Sequence, residues 1–69
     1  MPQTSGLDLK LDRVREGLTV IAVAARMGLS RQSVHGLERA AKVSPERAQQ
    51  YRQAVASLRA DNETAGTAA

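Results

Sequence analysis

The sequence predicts a small all-α domain built from four helices. Apolar residues recur at spacings of three and four between residues 7 and 58, which is the period of an amphipathic helix. No segment shows the apolar-polar alternation of a half-buried strand. Phe and Trp are absent and Tyr51 is the single aromatic residue, which favours closely packed aliphatic helices over a sheet. At 69 residues, the chain is expected to form one domain.

The first helix is predicted from a stripe of apolar residues. Leu7, Leu11, Val14 and Leu18 recur at i, i+4, i+7 and i+11, and a stripe of this kind usually faces the core. Gly17 is placed to end the helix, because glycine adopts the left-handed backbone of a C′ position without steric cost.

The second helix is predicted to begin after Thr19, a suitable N-cap, and to end at Gly28. Its shared apolar face consists of Val20, Val23, Ala24 and Met27.

Ser30 is the expected N-cap of a third helix. The residues predicted to point inward are Val34, Leu37 and Ala41. At about 100° per residue, the opposite side is polar and consists of Arg31, Gln32, His35 and Arg39. The role of this polar face is the main question that the sequence poses.

The fourth helix is predicted to open at Ser44-Pro45-Glu46, which reads as N-cap, N1 proline and an acidic first turn. It should run to about Ala60. One stripe of it carries Ala48, Tyr51, Val55 and Leu58.

Both ends of the chain are expected to be disordered. Residues 1–6 are turn-prone, and residues 61–69 contain no large apolar side chain. The folded domain is therefore assigned to residues 7–60. It holds all ten basic residues and five of the seven acidic ones, so its net charge is about +5, against +3 for the whole chain.

The composition argues against several classes of function. Without cysteine the chain has neither disulfides nor thiolate metal sites, and a single histidine is too few for a metal centre. No cofactor, metal or small-molecule effector is indicated, and an enzyme is not expected because no catalytic constellation is complete. No apolar run approaches the roughly 18 residues of a membrane span, and the first residues do not resemble a leader, so we expect a cytoplasmic protein.

The most informative unit is the pair of short helices joined by Gly28-Leu29-Ser30. Small Ala24 allows close helix approach, Gly28 permits a positive φ, and Leu29 fills the corner between the helices. From Gly17 to Glu38 the sequence resembles the helix-turn-helix of the lambda-repressor/Cro (XRE-type) transcriptional regulators. The matching positions are Leu18, Val23, Ala24, Met27, Gly28, Leu29, Ser33, Val34, Leu37 and Glu38.

The resemblance implies binding to double-stranded DNA through the third helix. In the family the first residues of this helix reach base edges, and the matching positions here are Arg31 and Gln32, with His35 one turn on. Contacts to the DNA backbone are expected from Thr19, Ser30, Ser33, Arg26, Arg39 and Lys42. A family ion pair between the first and third helices corresponds to Arg13 and Glu38, and we interpret it as structural.

The chain departs from the family pattern at three places. Val20 and Ile21 are unusually apolar for the start of the second helix, and Gly36 stands where the family often has a base-reading side chain. No glycine turn follows Glu38, and only one further helix follows. The C-terminal part therefore resembles the short phage- and plasmid-encoded repressors.

The leading hypothesis is a repressor that binds a pseudo-palindromic operator as a homodimer. The fourth helix, about residues 45–60, is the expected dimerisation element, with Tyr51, Val55 and Leu58 at the interface. Part of the same apolar stripe is equally expected to cover the first and third helices and complete the core. The alternative is a helical protein-interaction module, such as an antitoxin or anti-activator, whose fourth helix docks in a partner groove.

Overall fold

The protein consists of four helices joined by short loops. A computed structural model describes the backbone of residues 4–68 and the side chains of residues 4–62. The helices are α1 (Gly6–Arg15), α2 (Val20–Met27), α3 (Arg31–Arg39) and α4 (Pro45–Ala68). No strand occurs in residues 4–68, so the predicted all-α class is confirmed. Helices α1 and α2 each pack against both α3 and α4.

The predicted helix boundaries in the middle of the chain are confirmed by their caps. Thr19 Oγ1 accepts a hydrogen bond from the Ala22 N–H at 3.1 Å, and Ser44 Oγ accepts one from the Arg47 N–H at 3.2 Å. These side-chain oxygens satisfy amide groups that have no partner within the helix. Local sequence therefore sets where α2 and α4 begin.

The core is aliphatic apart from one tyrosine. Leu9, Val23, Val34 and Tyr51 are fully buried, one from each of the four helices. The other buried apolar residues are Leu18, Ala24, Val43, Ala48, Ala54 and Val55. A single cluster therefore holds all four helices together.

The apolar stripe predicted for α1 does not face this core. Leu7, Leu11 and Val14 are 58%, 47% and 53% exposed, whereas Leu9 is fully buried. The inner face of α1 also carries Arg13, which forms an ion pair with α3. Hydrophobic periodicity could not find this face because a charged residue occupies a central position on it.

Two smaller predictions were also wrong. Ala41 was expected on the inner side of α3. Helix α3 instead ends at Arg39, because Ala40 takes an extended conformation, and Ala41 is exposed. The domain was expected to end near residue 60, whereas the backbone of α4 is helical through Ala68. Asp61 forms an exposed ion pair with Arg26 of α2, so contacts between α4 and the rest of the domain extend past residue 60. Ala69 lies outside the described residues.

The N-terminal segment is part of the fold from residue 4 onward. The Thr4 carbonyl accepts a hydrogen bond from the Val43 N–H, and the Gly6 N–H donates to the Ala40 carbonyl, both at 2.8 Å. Ser5 caps α1 in a capping box with Asp8. The prediction of disorder was therefore wrong for residues 4–6, because these bonds are made with the α3–α4 connection. Residues 1–3 lie outside the described residues.

Gly6 explains how α1 reaches α3 so closely. A Cβ added at this position would overlap the Leu37 carbonyl oxygen and lie 2.6 Å from the Glu38 carbonyl carbon. Only glycine fits here, since the obstructing atoms are backbone and cannot move as a side chain can.

Candidate nucleic-acid interface

The turn between α2 and α3 has the hydrogen bonds of a Schellman motif. Gly28 takes the left-handed conformation with φ 71° and ψ 28°. Its N–H donates to the Ala25 carbonyl at 3.3 Å, and the Leu29 N–H donates to the Ala24 carbonyl at 2.9 Å. Ser30 then starts α3 directly, with its Oγ accepting from the Ser33 N–H at 3.1 Å. The tight turn fixes the direction in which α3 leaves α2.

Helix α3 is held by one face and exposes the other. Val34 is fully buried, and Glu38 is buried one turn later. The residues predicted to read DNA bases, Arg31, Gln32 and His35, are all exposed. The polar face predicted from the sequence is therefore the solvent-facing surface of α3.

Gln32 and Arg39 occupy the middle of this exposed surface. They are seven residues apart, which is nearly two helical turns, so they project in almost the same direction. Gly36 lies between them, and nothing lies within 4 Å of a Cβ built at this glycine. The centre of the surface is therefore a bare stretch of helix backbone between two long polar side chains.

All exposed charge between residues 17 and 45 is positive. Between Glu16 and Glu46 the only acidic residue is Glu38, which is buried. Arg39 and Lys42 are exposed at the end of α3 and just beyond it. A polyanion can therefore approach this surface without meeting an exposed carboxylate from this part of the chain.

The three hydroxyl residues predicted at the DNA backbone differ in what they can donate. Ser30 Oγ donates to Ser33 Oγ at 2.9 Å and also accepts from the Ser33 N–H, so its hydrogen is engaged. Thr19 accepts from the Ala22 N–H and Ser33 accepts from Ser30 Oγ, and each of these two residues keeps its own O–H as a donor. Phosphate oxygens need donors, so Thr19 and Ser33 suit a phosphate better than Ser30 does.

The structure shows the neighbours of two further arginines. Arg26, predicted at the DNA backbone, forms an ion pair with Asp61 of α4. Arg47 was not among the expected DNA contacts, and it lines an open groove together with Ser33 and Gly36 of α3. No sequence signal identifies Arg47, because its position beside α3 depends on how α4 packs.

The back of α3 is anchored by a buried ionic cluster. Arg13 Nε and Nη2 donate to the two oxygens of Glu38 at 2.7 and 3.1 Å, which confirms the pair expected from the resemblance. Tyr51 donates its O–H to Glu38 at 2.6 Å, and Arg13 Nη1 donates to the Leu18 carbonyl at 2.9 Å. This cluster joins α1, α3 and α4 and fixes the rotation of α3 about its axis.

The protonation states of the cluster follow from these bonds. Burial raises the pKa of Glu38, but hydrogen bonds from Arg13 and Tyr51 more than offset this, so its pKa lies below the ordinary value. The hydrogen bond to Glu38 raises the pKa of Arg13. Burial, reinforced by the hydrogen bond to Glu38, raises the pKa of Tyr51 well above its ordinary value. Glu38 is therefore ionised and Tyr51 neutral at physiological pH.

The residues predicted for the dimer interface are part of the protomer's own core. Tyr51 is fully buried, Val55 is 7% exposed, and Leu58 packs against the same cluster. A domain of this size has few apolar side chains, and the stripe on α4 is needed to close the core. The same finding removes the reason for supposing that α4 docks in a partner's groove.

Neither a metal-binding cluster nor a membrane-spanning helix is found in the part of the chain that the structure describes. No group of three His, Cys, Asp or Glu residues among them is placed to hold a metal ion. None of the helices, over the described part of the chain, is both long and apolar enough to cross a membrane.

Comparison with known proteins places this geometry in a family. The model of the helix-turn-helix family of XRE, or lambda-repressor-like, type matches residues 9–55, which is more than half of the chain. The comparisons with curated proteins and with solved structures returned no match. The matched range covers α2, the turn, α3 and the residues of the buried ionic cluster. The chain therefore belongs to the XRE-type helix-turn-helix family and is a DNA-binding transcription regulator.

Proposed function

We propose that the protein is a sequence-specific repressor that binds a pseudo-palindromic operator in double-stranded DNA as a homodimer, with α3 in the major groove. The observation that carries this proposal is the exposed face of α3. It offers guanidinium, amide and imidazole groups, and residues 17–45, which include α2 and α3, contain no exposed carboxylate. Repression would follow because a protein seated on an operator blocks access of the polymerase to the same DNA.

Base recognition is assigned to Arg31, Gln32 and His35. An arginine donates two hydrogen bonds to guanine O6 and N7, and a glutamine pairs with adenine N6 and N7. Arg31 and Gln32 lie in the first turn of α3, and His35 lies one turn later, so the three can read neighbouring base pairs.

Contacts to phosphate are assigned to Thr19 and Ser33 through their free O–H groups, and to Arg39 and Lys42 through their charge. Arg47 is added because it lines the groove beside α3. Arg26 is given no phosphate contact, because its guanidinium pairs with Asp61. Ser30 contributes by capping α3.

The proposed function also implies a cytoplasmic location, because operator DNA of a bacterium, phage or plasmid is found there.

A selection of bound sequences from a random pool of double-stranded DNA tests the proposal. We expect one enriched half-site, repeated in inverted orientation, and binding that weakens steeply with added salt. Arg31→Ala and Gln32→Ala should each reduce discrimination by about 1–3 kcal/mol at the base pair that the side chain reads. Lys42→Ala should weaken binding to all sequences alike and reduce the salt dependence.

Gln49→Ala provides the matched control, because Gln49 is an exposed glutamine on α4 and not on α3. Its selected sequences should equal those of the wild type. Selectivity that survives both α3 substitutions, or a pool with no enriched sequence, would refute the proposed function.

A further inference from the structure

Three of the exposed large apolar side chains form a continuous stripe on α1. Four such side chains are exposed among the residues whose side chains are described, namely Leu7, Leu11 and Val14 on α1 and Ile21 on α2. The three on α1 recur at i, i+4 and i+7, so they share one face of the helix. That face is opposite Leu9, which is fully buried. Single exposed leucines are common, whereas three on one face of a 10-residue helix form a contiguous apolar patch that the packing of this domain does not explain.

We propose that this α1 stripe, Leu7, Leu11 and Val14, is the surface through which two copies of the chain associate, with the two α1 helices antiparallel. The inference rests on the proposed function, since a pseudo-palindromic operator needs two protomers related by a two-fold axis. It replaces the α4 surface expected from the sequence, because Tyr51 and Val55 are buried in the core and Leu58 packs against it. Beyond Leu58, α4 carries no large apolar residue that could serve instead.

The charges beside the α1 stripe indicate that its binding partner is a second copy of this chain. Asp8 and Arg15 are seven residues apart, so they lie on the same flank of the α1 stripe, and both are exposed. Asp8 precedes Leu11 by three residues and Arg15 follows it by four. A two-fold axis near Leu11 therefore sets each Asp8 opposite the partner subunit's Arg15. An antiparallel pair also places the positive N-terminus of one helix beside the negative C-terminus of the other.

A parallel arrangement of the two helices is less favourable. It would align the two helix dipoles in the same direction. It would pair Asp8 with the partner's Lys10, because Lys10 lies on the opposite flank of the stripe. Arg15 would then face no acidic residue of the partner subunit. The two arrangements therefore predict different rescuing charge pairs.

The size of the surface sets the strength of the association. Three side chains that are about half exposed offer far less than the roughly 800 Å² per partner of a stable complex. The dimer is therefore a weak one in free solution. Binding to two adjacent half-sites raises the local concentration of one protomer around the other and makes the contact effective on DNA.

Sedimentation velocity of the full chain, from micromolar to millimolar concentration, tests the surface directly. We expect reversible dimerisation in the wild type and at least tenfold weaker association for Leu11→Glu, because a carboxylate would be buried in the apolar contact. Ile21→Glu is the matched control, since Ile21 is 61% exposed but lies on α2. Its association should equal that of the wild type. Equal association in both variants, or a wild type that stays monomeric at millimolar concentration, would overturn the proposal.

Charge exchange tests the antiparallel register. Arg15→Glu should weaken association, and the double variant Asp8→Arg with Arg15→Glu should restore it. Asp8 also takes part in the α1 capping box, so circular dichroism must show that the double variant is folded. Rescue by Asp8→Lys with Lys10→Glu instead would refute the antiparallel arrangement.

DNA carrying one or two selected half-sites separates this inference from the proposed function. Leu11→Glu should keep its affinity for a single half-site and lose cooperativity on two. A wild type that binds no half-site contradicts the proposed function, whereas cooperativity retained by Leu11→Glu contradicts only the α1 surface.

Discussion

Tyr51→Phe removes one hydrogen bond from the buried ionic cluster and little else. The phenylalanine keeps the ring that fills the centre of the core, where Tyr51 is fully buried. The lost bond joins the phenol to an ionised carboxylate at 2.6 Å, and hydrogen bonds to charged groups contribute about 1.5–3 kcal/mol. Glu38 keeps both bonds from Arg13, so the variant retains its ion pair. We therefore expect a loss of about 1.5–3 kcal/mol in the free energy of unfolding.

A loss of this size is large for this chain. Domains below about 70–80 residues rarely exceed 3–5 kcal/mol of net stability. Urea denaturation followed by circular dichroism should show a lower midpoint with an unchanged m-value, because the surface exposed on unfolding is the same. A decrease below about 0.5 kcal/mol would refute the reasoning, since it would show that the Tyr51–Glu38 bond adds no more than an ordinary surface contact.

The pH dependence of Tyr51→Phe provides an independent check. Because the folded pKa of Glu38 is lowered, its ionisation stabilises the fold fully above the unfolded value of about 4.3, and this stabilisation is lost as the pH falls through the folded pKa. Removing the phenol raises the folded pKa toward the unfolded one. The variant should therefore lose less stability on acidification than the wild type, and Glu38→Gln should lack this contribution altogether. An identical acid dependence in all three proteins would contradict the assignment to Glu38.

Two glycine substitutions should have opposite effects. Gly6→Ala places a Cβ against the backbone of α3 and should cost about 3 kcal/mol, which is most of the stability of a domain of this size. Its thermal midpoint should therefore fall far below that of the wild type, and a midpoint close to the wild-type value would contradict the close approach at Gly6. Gly36→Ala places a Cβ in open space within α3 and should stabilise the fold by about 0.5–1 kcal/mol, although it adds a methyl group to the surface proposed to face DNA. Its thermal midpoint should rise while its affinity for the selected operator falls, and a rise in both would show that DNA does not approach Gly36 closely.

The interior helix boundaries could be predicted because they depend on local chemistry. Thr19 and Ser30 accept hydrogen bonds from amides three residues ahead, and Gly17 and Gly28 adopt positive φ angles. Each of these interactions joins residues that are near one another in sequence, so a pattern of residue types identifies them. The exposed polar face of α3 could be predicted for a similar reason. Once Val34 is placed inward, the helical rotation of about 100° per residue determines which side chains point outward.

The ends of the domain could not be predicted in this way. Gly6 is part of the fold because its amide bonds to Ala40 and because α3 leaves no room for a side chain there. The C-terminal part of α4 is tied to the domain through Asp61, whose partner Arg26 is on α2. These partners are more than 30 residues away in sequence, so composition alone made both ends resemble disordered tails.

The sequence by itself determined four helices, the tight turn between the second and third, and a basic and amide-bearing face on α3, because helix periodicity and capping are local properties. Only the tertiary structure decided which apolar stripe faces the core. The stripe on α4 is buried and the stripe on α1 is exposed, since the Arg13–Glu38–Tyr51 cluster turns the polar side of α1 inward. Periodicity measures how apolar a face is, but the choice between two apolar faces depends on the partners that the other helices bring to them.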